Sequence, residues 1–374
     1  MELSRRRFFQ TSAVATAVAL AAPHELLGAT FAEPQRVARP GGMILLNSNE
    51  NPYGAWPSLM AAMTEDLNVA NRYPDSQYDR LVQRVAALHR VKEEQVIMGC
   101  GSGEILRICA ECFTGPRAAL VTASPTFEAL GHHTRIREHE VRTVRLNSRF
   151  EHDLEQMADT SKGPIGLVYI CNPNNPTASI TPRKAIEAIL PRLSKDTIVL
   201  IDEAYHHFAL SSPDYVSFLD QPVADDRIIV ARTFSKIYGL AGMRVGYAIA
   251  ALPVAHKMAP FALPDGVNVI AAQVAVSALD DAKGLAFAIK RNEADRDEFL
   301  RQVKQRNIQS IPSQGNFVMI DTGKPIREVI GYFRKHNIAI GRPFPPYDTH
   351  ARISLGKPEE MKTLWTAWDQ MKTS

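Results

Sequence analysis

The sequence has little that would place the protein in a membrane, on a nucleic acid or among disulfide-stabilised folds. It has 374 residues with only four cysteines, and its 43 basic and 40 acidic residues give a formal net charge of +3. No long basic run occurs outside the N-terminus, so a nucleic-acid-binding surface is not indicated. Apart from one short apolar stretch near the start, no segment approaches the ~20 apolar residues of a membrane-spanning helix. The remaining composition, 45% hydrophobic and 22% charged, is that of a globular protein with one large or two medium domains.

The cysteines do not have the spacing of a metal site. Cys109 and Cys112 are three residues apart in an apolar stretch with helical character, and a zinc site would need two further ligands at suitable spacing. We therefore predict that both are buried free thiols and that the protein holds no metal ion. Cys100 and Cys171 flank motifs described below and are candidate lining residues of a site.

The N-terminal segment has the pattern of an export signal. Residues 4–10 contain three consecutive arginines followed by two phenylalanines, and an alanine-rich apolar stretch occupies residues 11–22. Small residues suited to cleavage occur at Ala29 and Ala32. The pattern resembles a twin-arginine signal, so we predict a signal peptide over residues 1–32, contact with the twin-arginine export machinery, and a periplasmic mature chain of ~342 residues. The alternative is a basic N-terminal segment that is retained by a cytoplasmic protein.

Four short apolar runs predict a β-sheet in the rest of the chain. They lie at residues 118–121, 167–170, 198–201 and 228–231. Runs that are apolar on both faces are typical of central parallel strands covered by helices. Residues at helical spacing before the first run predict one such covering helix: Tyr78, Leu81, Val82, Val85 and Leu88. The sequence therefore predicts an α/β fold with a mostly parallel central sheet.

Polar, aromatic and ionisable residues follow each apolar run. These segments are residues 124–127, 172–177, 202–205 and 233–236. In open α/β sheets, ligands bind at the carboxyl ends of the strands. We therefore predict that these segments meet in one binding site.

Two of these residues, Asp202 and Lys236, have chemistry that depends on burial. Asp202 closes an apolar strand, where a carboxylate needs a cation to stay charged. Lys236 follows another strand, where loss of hydration lowers the pKa of the amine and favours its attack on a carbonyl. The two residues are either a structural ion pair or the anchors of pyridoxal 5'-phosphate (PLP), in which Lys236 bonds to the aldehyde carbon and Asp202 keeps the pyridine nitrogen protonated.

A glycine-rich turn at residues 99–104 favours the cofactor interpretation. It precedes an apolar helical segment, and such a turn presents free backbone amides to a phosphate group. Ser235 and Arg244 are suited to add a hydroxyl and a guanidinium to the same dianion. Glycine turns before helices are common, so this signal is weak by itself.

Seven motifs occur in the order seen in histidinol-phosphate aminotransferases and cover nearly all of the chain beyond the N-terminal segment. They are residues 46–54, 72–75, 172–177, 202–205, 232–236, 239–247 and 352–356. The chain thus resembles a family of class I/II, fold type I, PLP-dependent aminotransferases. The resemblance implies a large PLP-binding domain over residues 66–262 and a smaller α/β domain over residues 263–374. Residues 33–65 would form an N-terminal arm and part of the small domain.

The resemblance also implies roles for the residues that meet the reacting part of the cofactor. Lys236 would hold the cofactor covalently and carry protons, Asp202 would pair with the pyridinium, and Tyr205 would act with them as a catalytic residue. Asn175 and Tyr205 would bind the phenolic oxygen. Phe127 would stack on the ring.

Other residues would hold the phosphate and the substrate. The resemblance assigns the cofactor phosphate to Ser102, Gly103, Ser235, Arg244 and the partner subunit's Tyr73, which requires a homodimer. Arg352 would bind the acidic group of the substrate, and Arg342 would help to bind a substrate phosphate. A bidentate guanidinium suits such oxyanions better than an ammonium does.

Three features depart from the family's pattern. Gly103 stands where an acidic residue is usual, Ala178 stands where a glycine usually follows the asparagine-proline motif, and an export signal is foreign to cytosolic histidine synthesis. The sequence predicts an aminotransferase that moves an amino group between L-histidinol phosphate or an amino acid and a 2-oxo acid. The alternatives are an exported PLP-dependent amino-acid oxidase or decarboxylase, and a non-catalytic amino-acid-binding protein, against which Lys236 argues.

Overall fold

The computed structural model describes residues 42–373. The predicted signal peptide and the first part of the predicted arm lie outside the described residues. The strands are β1 (Ile44–Leu46), β2 (Val96–Gly99), β3 (Ala119–Ser124), β4 (Val141–Arg145), β5 (Ile165–Cys171), β6 (Ile198–Asp202), β7 (Ile228–Thr233), β8 (Gly246–Ala250), β9 (Phe317–Asp321), β10 (Ile338–Ile340) and β11 (His350–Ser354).

The α-helices alternate with these strands over most of the chain. They are α1 (Pro57–Glu65), α2 (Asp75–His89), α3 (Ser102–Phe113), α4 (Ala129–Arg135), α5 (Leu154–Thr160), α6 (Arg183–Ile189), α7 (Leu252–Met258), α8 (Val269–Asp280), α9 (Ala282–Gln305), α10 (Ile326–Lys335) and α11 (Pro358–Thr373). Among the residues that the structure describes, no helix has the length and apolar character needed to cross a membrane.

A seven-stranded sheet forms the framework of the site. Its strand order is β2-β8-β7-β6-β5-β3-β4. All neighbours are parallel except at β8, which is antiparallel to both β2 and β7. The four predicted apolar runs are β3, β5, β6 and β7, and they are neighbours in the parallel part of the sheet. The predicted α/β class with a mostly parallel central sheet is confirmed.

The central strands are apolar on both faces because each face packs in a separate core. In β5, Leu167 and Tyr169 belong to one cluster, whereas Val168 and Ile170 belong to the other. Helix α3 packs on the first face, and helices α1, α2 and α8 pack on the second. In α2 the predicted apolar face is buried at Leu81 but ends before Leu88, which is 43% exposed in the last turn.

A further core lies among the C-terminal elements. It is built from α9, α10, α11 and the antiparallel pair β9-β11, with Phe299, Phe333 and Trp368 among its largest buried side chains. Strand β1 pairs in parallel with β10, which joins the segment after β1 to this part of the chain. The predicted domain limits stay predictions.

The two cysteines of the apolar helix are free thiols. Cys109 is buried and Cys112 is partly buried, and neither forms a disulfide. Burial raises the pKa of the Cys112 thiol to about 11.

Candidate active site

A cavity of about 720 Å³ lies where the central strands β5, β6 and β7 end. Every predicted catalytic, cofactor-binding and substrate-binding residue except Tyr73 lines it, and of the two candidate lining cysteines Cys171 lines it whereas Cys100 is exposed and does not. These residues come from distant parts of the sequence, and the carboxyl ends of neighbouring parallel strands bring them together. Tyr73 is 76% exposed and does not line the cavity of its own chain. Its role in a partner subunit's site stays a prediction.

Lys236 lies at the end of β7 with its amine facing backbone carbonyls. Its Nζ is 3.2 Å from the carbonyl oxygen of Asn49 and 3.4 Å from that of Ser48. Burial, with a contribution from the charge of Arg352, lowers the pKa of the Lys236 amine to about 8. Roughly a tenth of the amine is therefore neutral at pH 7, which is far more than for an ordinary lysine. The neutral amine is the form that attacks a carbonyl.

Asp202 is fixed at the end of β6 by two donors. Its Oδ2 accepts a hydrogen bond from the Tyr169 hydroxyl at 2.9 Å, and its Oδ1 accepts one from the Ala204 amide at 3.0 Å. The carboxyl group is 1% exposed, and burial raises its pKa while these two hydrogen bonds oppose the shift. The arrangement holds a buried carboxylate ready for a cationic partner.

Tyr205 lines the cavity, and two asparagine side chains hold its hydroxyl group. Its oxygen accepts hydrogen bonds from Nδ2 of Asn49 at 3.0 Å and from Nδ2 of Asn175 at 3.3 Å. Burial raises the pKa of Tyr205 above its usual value. The phenol therefore stays protonated and can donate to an oxyanion.

A cluster of anion-binding groups forms one end of the cavity. Helix α3 begins at Ser102, so the amides of Ser102 and Gly103 have no partner within the helix, whereas the Glu104 amide donates to the Gly101 carbonyl. Arg244 Nη1 donates to the Ser235 hydroxyl at 3.3 Å. Gly101 has a φ of +75°, and a Cβ there would lie 2.4 Å from Arg244 Nη2. A glycine is therefore required for the turn and the guanidinium to approach each other.

These groups fit PLP. The amides of the α3 turn, Ser235 and Arg244 suit its phosphate, and the close approach at Gly101 shapes that end of the cavity. Asp202 suits the pyridine nitrogen, and Lys236 suits the aldehyde. Phe127, which lines the cavity and is 39% exposed, offers a ring for stacking.

Two departures from the family's pattern have visible structural consequences. A Cβ at Gly103 would meet nothing within 4 Å, so this position has room for the acidic side chain that is usual in the family. Ala178 is buried and has a φ of +57°, in the left-handed region that favours glycine. Its backbone explains why a glycine is usual at this place, and Ala178 does not line the cavity.

Arg352 lies in β11 at the substrate side of the cavity. Its Nη1 donates to Asn175 Oδ1 at 2.7 Å, and its Nη2 donates to the Asn47 carbonyl at 2.6 Å. Its Nε is buried without a protein partner. Burial, together with the nearby charge of Arg342, lowers the pKa of Arg352 to about 10. A buried Nε–H group that has no protein partner and lies near a second guanidinium is suited to an anionic ligand.

Arg342 lies close to Arg352 but is far more exposed. The two guanidinium carbons lie 4.3 Å and 4.7 Å from the centroid of the Phe344 ring, respectively. Arg342 Nη2 also contacts Oε2 of Glu128 at 2.6 Å, and the two side chains are 52% and 61% exposed. The two predicted substrate arginines therefore share one wall of the cavity.

Several lining or supporting residues had no predicted role. Asn47 and Asn49 belong to the first motif of the resemblance, which was the only signal that they mattered. Tyr169 lies inside an apolar strand, and Glu128 is the residue directly before helix α4, so neither gives a signal in the sequence. Phe344 likewise follows β10 without a recognisable motif.

The chain is similar to a known protein family and to known proteins over most of its length. The family model "Aminotransferase class I and II" matches residues 41–367. A histidinol-phosphate aminotransferase of Geobacillus sp. (strain WCH70) is 34% identical over 338 residues, which are 88% of this chain and 90% of the relative.

Solved structures extend the similarity to the fold. The histidinol-phosphate aminotransferase from Sinorhizobium meliloti in complex with pyridoxal-5'-phosphate is 25% identical, with a TM-score of 0.82 over 94% of this chain and 98% of that chain. The L-threonine-O-3-phosphate decarboxylase from Porphyromonas gingivalis shares the fold at 22% identity, with a TM-score of 0.76 over 89% of this chain and 100% of that chain. The chain therefore belongs to the class I and II aminotransferases, and it is a PLP-dependent transaminase of fold type I.

Proposed function

We propose that the enzyme transfers the amino group of a small anionic amine to a 2-oxo acid, and that L-histidinol phosphate is the amine. The observation that carries this proposal is the placement of Arg342 and Arg352 on one wall of the cavity, within 5 Å of the same Phe344 ring. The similarity to proteins named histidinol-phosphate aminotransferases supports the choice of substrate.

The charges that line the cavity support an anionic substrate. The cationic side chains are Lys236, Arg244, Arg334, Arg342 and Arg352, whereas the carboxylates are Glu50 and Asp202. Lys236 and Arg244 are needed for the cofactor. Three arginines are therefore left to face the substrate, and a phosphate dianion matches them better than a single carboxylate does.

The mechanism follows from where each side chain can hold or move a proton. PLP, when bound, supplies an aldehyde that condenses with the amine and a ring that accepts electrons from the bond to the α-proton. Lys236 Nζ would take the proton from the substrate carbon that bears the amine and would deliver one to the cofactor's aldehyde carbon, a task for which a pKa near 8 is well matched. Asp202 holds a proton at the pyridine nitrogen, and Tyr205 donates to the phenolic oxygen. Arg342 and Arg352 hold the anionic end of the substrate and so orient the α-carbon towards Lys236.

The test is a titration of the purified holoenzyme with a panel of amino donors, in which the visible absorption of the cofactor is recorded after each addition. We expect L-histidinol phosphate to change the spectrum at lower concentration than phenylalanine or glutamate. Quantitation of the keto product with 2-oxoglutarate as acceptor completes the cycle. Release of CO₂ would assign the enzyme to the decarboxylase alternative, and release of H₂O₂ and ammonia without conversion of 2-oxoglutarate to glutamate would assign it to the oxidase alternative.

We also propose that the active form is a homodimer in which Tyr73 completes the partner's site. The high exposure of the Tyr73 ring in the single chain supports this, as does that of Leu67, which is 58% exposed nearby in the sequence. Mixing K236A and Y73F chains tests the proposal. A hybrid dimer carries one intact site, so activity should exceed that of either variant alone. A fully active monomer by sedimentation would contradict it.

We propose, finally, that residues 1–32 direct export to the periplasm by the twin-arginine route. The proposal is supported by the arginine pattern at residues 5–7 and by the small residues at Ala29 and Ala32. The segment itself lies outside the residues that the structure describes. A reporter fused to this segment should reach the periplasm and should stay in the cytoplasm when Arg5 and Arg6 are both changed to lysine. Cytoplasmic reporter in both fusions would contradict export and favour a role in cytosolic amino-acid biosynthesis.

A further inference from the structure

The ion pair between Glu128 and Arg342 lies at the edge of the cavity, because Arg342 lines the cavity and Glu128 directly follows the lining residue Phe127. Glu128 follows Phe127 in the segment after β3, whereas Arg342 follows β10, and the two residues are 214 positions apart in the sequence. The oxygen and nitrogen lie 2.6 Å apart, which is the distance of a charge-assisted hydrogen bond. Nothing in the chemistry proposed above uses Glu128.

We propose that Glu128 is a specificity-determining residue that competes with the substrate's anionic group for Arg342. In this inference, which rests on the proposed function, the carboxylate of Glu128 occupies Arg342 when the substrate is absent. An anionic substrate displaces it, and a neutral amine leaves the ion pair intact. Glu128 therefore raises the Kd of any ligand that must bind Arg342, and it favours substrates whose charge is high enough to replace it.

The surroundings of Arg342 show why the two anions exclude each other. Arg342 Nη1 donates to the carbonyl of Pro343 at 2.9 Å, and the face of the guanidinium lies over Phe344. The Nη2 edge is occupied by Glu128. A substrate oxyanion that binds this guanidinium in a bidentate way uses Nη2 together with Nε or Nη1, so it competes with Glu128 for Nη2.

Arg352 is less able than Arg342 to exchange its hydrogen-bond partners, so we assign the selection between anionic and neutral substrates to Arg342. Both of its Nη atoms donate to acceptors that are part of the site's framework, Asn175 Oδ1 and the Asn47 carbonyl. It is 8% exposed, so it has little freedom to exchange partners. The exposed pair at Arg342 can exchange at low cost, because exposed ion pairs contribute little to stability.

The experiment uses the PLP-loaded enzyme and inorganic phosphate as the probe, measured by calorimetry. The cofactor's own phosphate site is filled in this form, so added phosphate reports on the substrate side. Glu128→Gln removes the charge. Glu128→Asp keeps the charge but shortens the side chain, which breaks the contact with Arg342. Glu140→Gln is the matched control, because Glu140 forms a comparable ion pair with Arg142 that is away from the cavity.

We expect both Glu128→Gln and Glu128→Asp to lower the Kd of phosphate by roughly two- to five-fold, the range typical of an exposed ion pair. Glu140→Gln should leave it unchanged, and in an Arg342→Gln background the Glu128 substitutions should have no effect. With an anionic substrate, KM should fall by the same factor and kcat should stay constant.

Three results would overturn the inference. The first is an unchanged Kd of phosphate in Glu128→Gln. The second is a Glu128→Asp variant that binds phosphate like the parent while Glu128→Gln binds it more tightly. The third is a Glu128 substitution that changes the Kd as much in the Arg342→Gln background as in the parent. The second of these would show a long-range effect of charge. Because the probe is phosphate, failure to turn over L-histidinol phosphate would contradict the proposed function without touching this result.

Discussion

At the cofactor end of the cavity Asp202 is buried and bound to fixed neighbours, whereas at the substrate end Arg342 and Glu128 are exposed and bound to each other. Asp202 is 1% exposed and accepts hydrogen bonds from Tyr169 and a backbone amide. Arg342 and Glu128 are more than half exposed and hold each other. A buried charge costs much to rearrange, and an exposed pair costs little. The chemistry is therefore fixed by one end of the cavity, while substrate choice is set at the other.

The largest effect that would sharpen this comparison is expected for Lys236→Ala. The variant loses the amine that holds the cofactor and moves the proton, so activity should fall by roughly 10⁴ or more. The visible absorption that borohydride removes from the parent should also disappear. A matched Lys257→Ala variant, which changes a lysine outside the cavity, should behave like the parent. Unchanged absorption and activity in Lys236→Ala would contradict the assignment.

A smaller but still large effect is expected for Asp202→Asn. The amide does not stabilise a proton at the pyridine nitrogen as a carboxylate does, so the electron-accepting power of the ring falls. Loss of the substrate α-proton in a single turnover should slow by several orders of magnitude, at about 1.4 kcal/mol of barrier for each factor of ten. A rate within roughly threefold of the parent would show that Asp202 has no such role.

Tyr169→Phe tests whether the fixed neighbours of Asp202 matter. The substitution removes a hydrogen bond to a buried carboxylate, which is worth about 1.5–3 kcal/mol, and so should raise the pKa of Asp202. We expect a roughly ten-fold slower reaction, a weaker affinity for PLP and a pH-dependent cofactor spectrum that shifts relative to the parent. Tyr215→Phe, which removes the hydroxyl of another buried tyrosine next to His206, is the control. If both variants match the parent in spectrum and affinity, Tyr169 only fills space.

The smallest effect at neutral pH concerns two partly buried histidines outside the cavity lining, His89 and His207. Burial, with a contribution from Arg232, lowers the pKa of His89 to about 4 and that of His207 to about 3. Both values lie below the unfolded value of about 6.5, so the unfolded chain binds protons first as the pH falls. Their contribution to stability is therefore fully present above about pH 6.5 and decreases towards pH 4, by roughly 1.4 kcal/mol per pH unit for each histidine.

Urea unfolding at several pH values between about 7.5 and 5 checks this expectation. His89→Gln keeps a side chain that can hydrogen-bond the Tyr247 hydroxyl, which lies 2.9 Å from the His89 ring nitrogen. This variant should lose part of the acid sensitivity. A free energy of unfolding that is constant over this pH range in the parent would contradict the burial of these rings as neutral groups.

The residues at the cofactor end were predictable because they follow strands that are apolar on both faces. Such strands are central and parallel, so the sequence alone indicates that the segments after β5, β6 and β7 meet. The antiparallel strand β8 was not predicted, because an apolar run gives no direction. Tyr169 was not predicted either, since a tyrosine inside a buried strand has the same pattern as a core residue.

The substrate end was harder to predict because its contacts join distant and exposed residues. Arg342 and Arg352 were found only through the resemblance to a family. The partner of Arg342, Glu128, has no sequence signal, since an exposed glutamate is usually only solvated. The pairing of β1 with β10 brings Asn47 and Asn49 to the cavity, and local sequence does not encode so distant a pairing.

The most direct measurement compares kcat/KM for L-histidinol phosphate and for L-histidinol, in the parent and in Arg342→Gln. Charge-assisted hydrogen bonds to the phosphate should give the parent a preference for the phosphorylated amine of roughly 100-fold. Arg342→Gln should reduce this preference by about ten-fold or more while the cofactor absorption stays that of the parent. Equal kcat/KM for the two amines in the parent, or a preference in Arg342→Gln that is as large as that of the parent, would contradict the claim that the exposed Arg342 sets substrate choice.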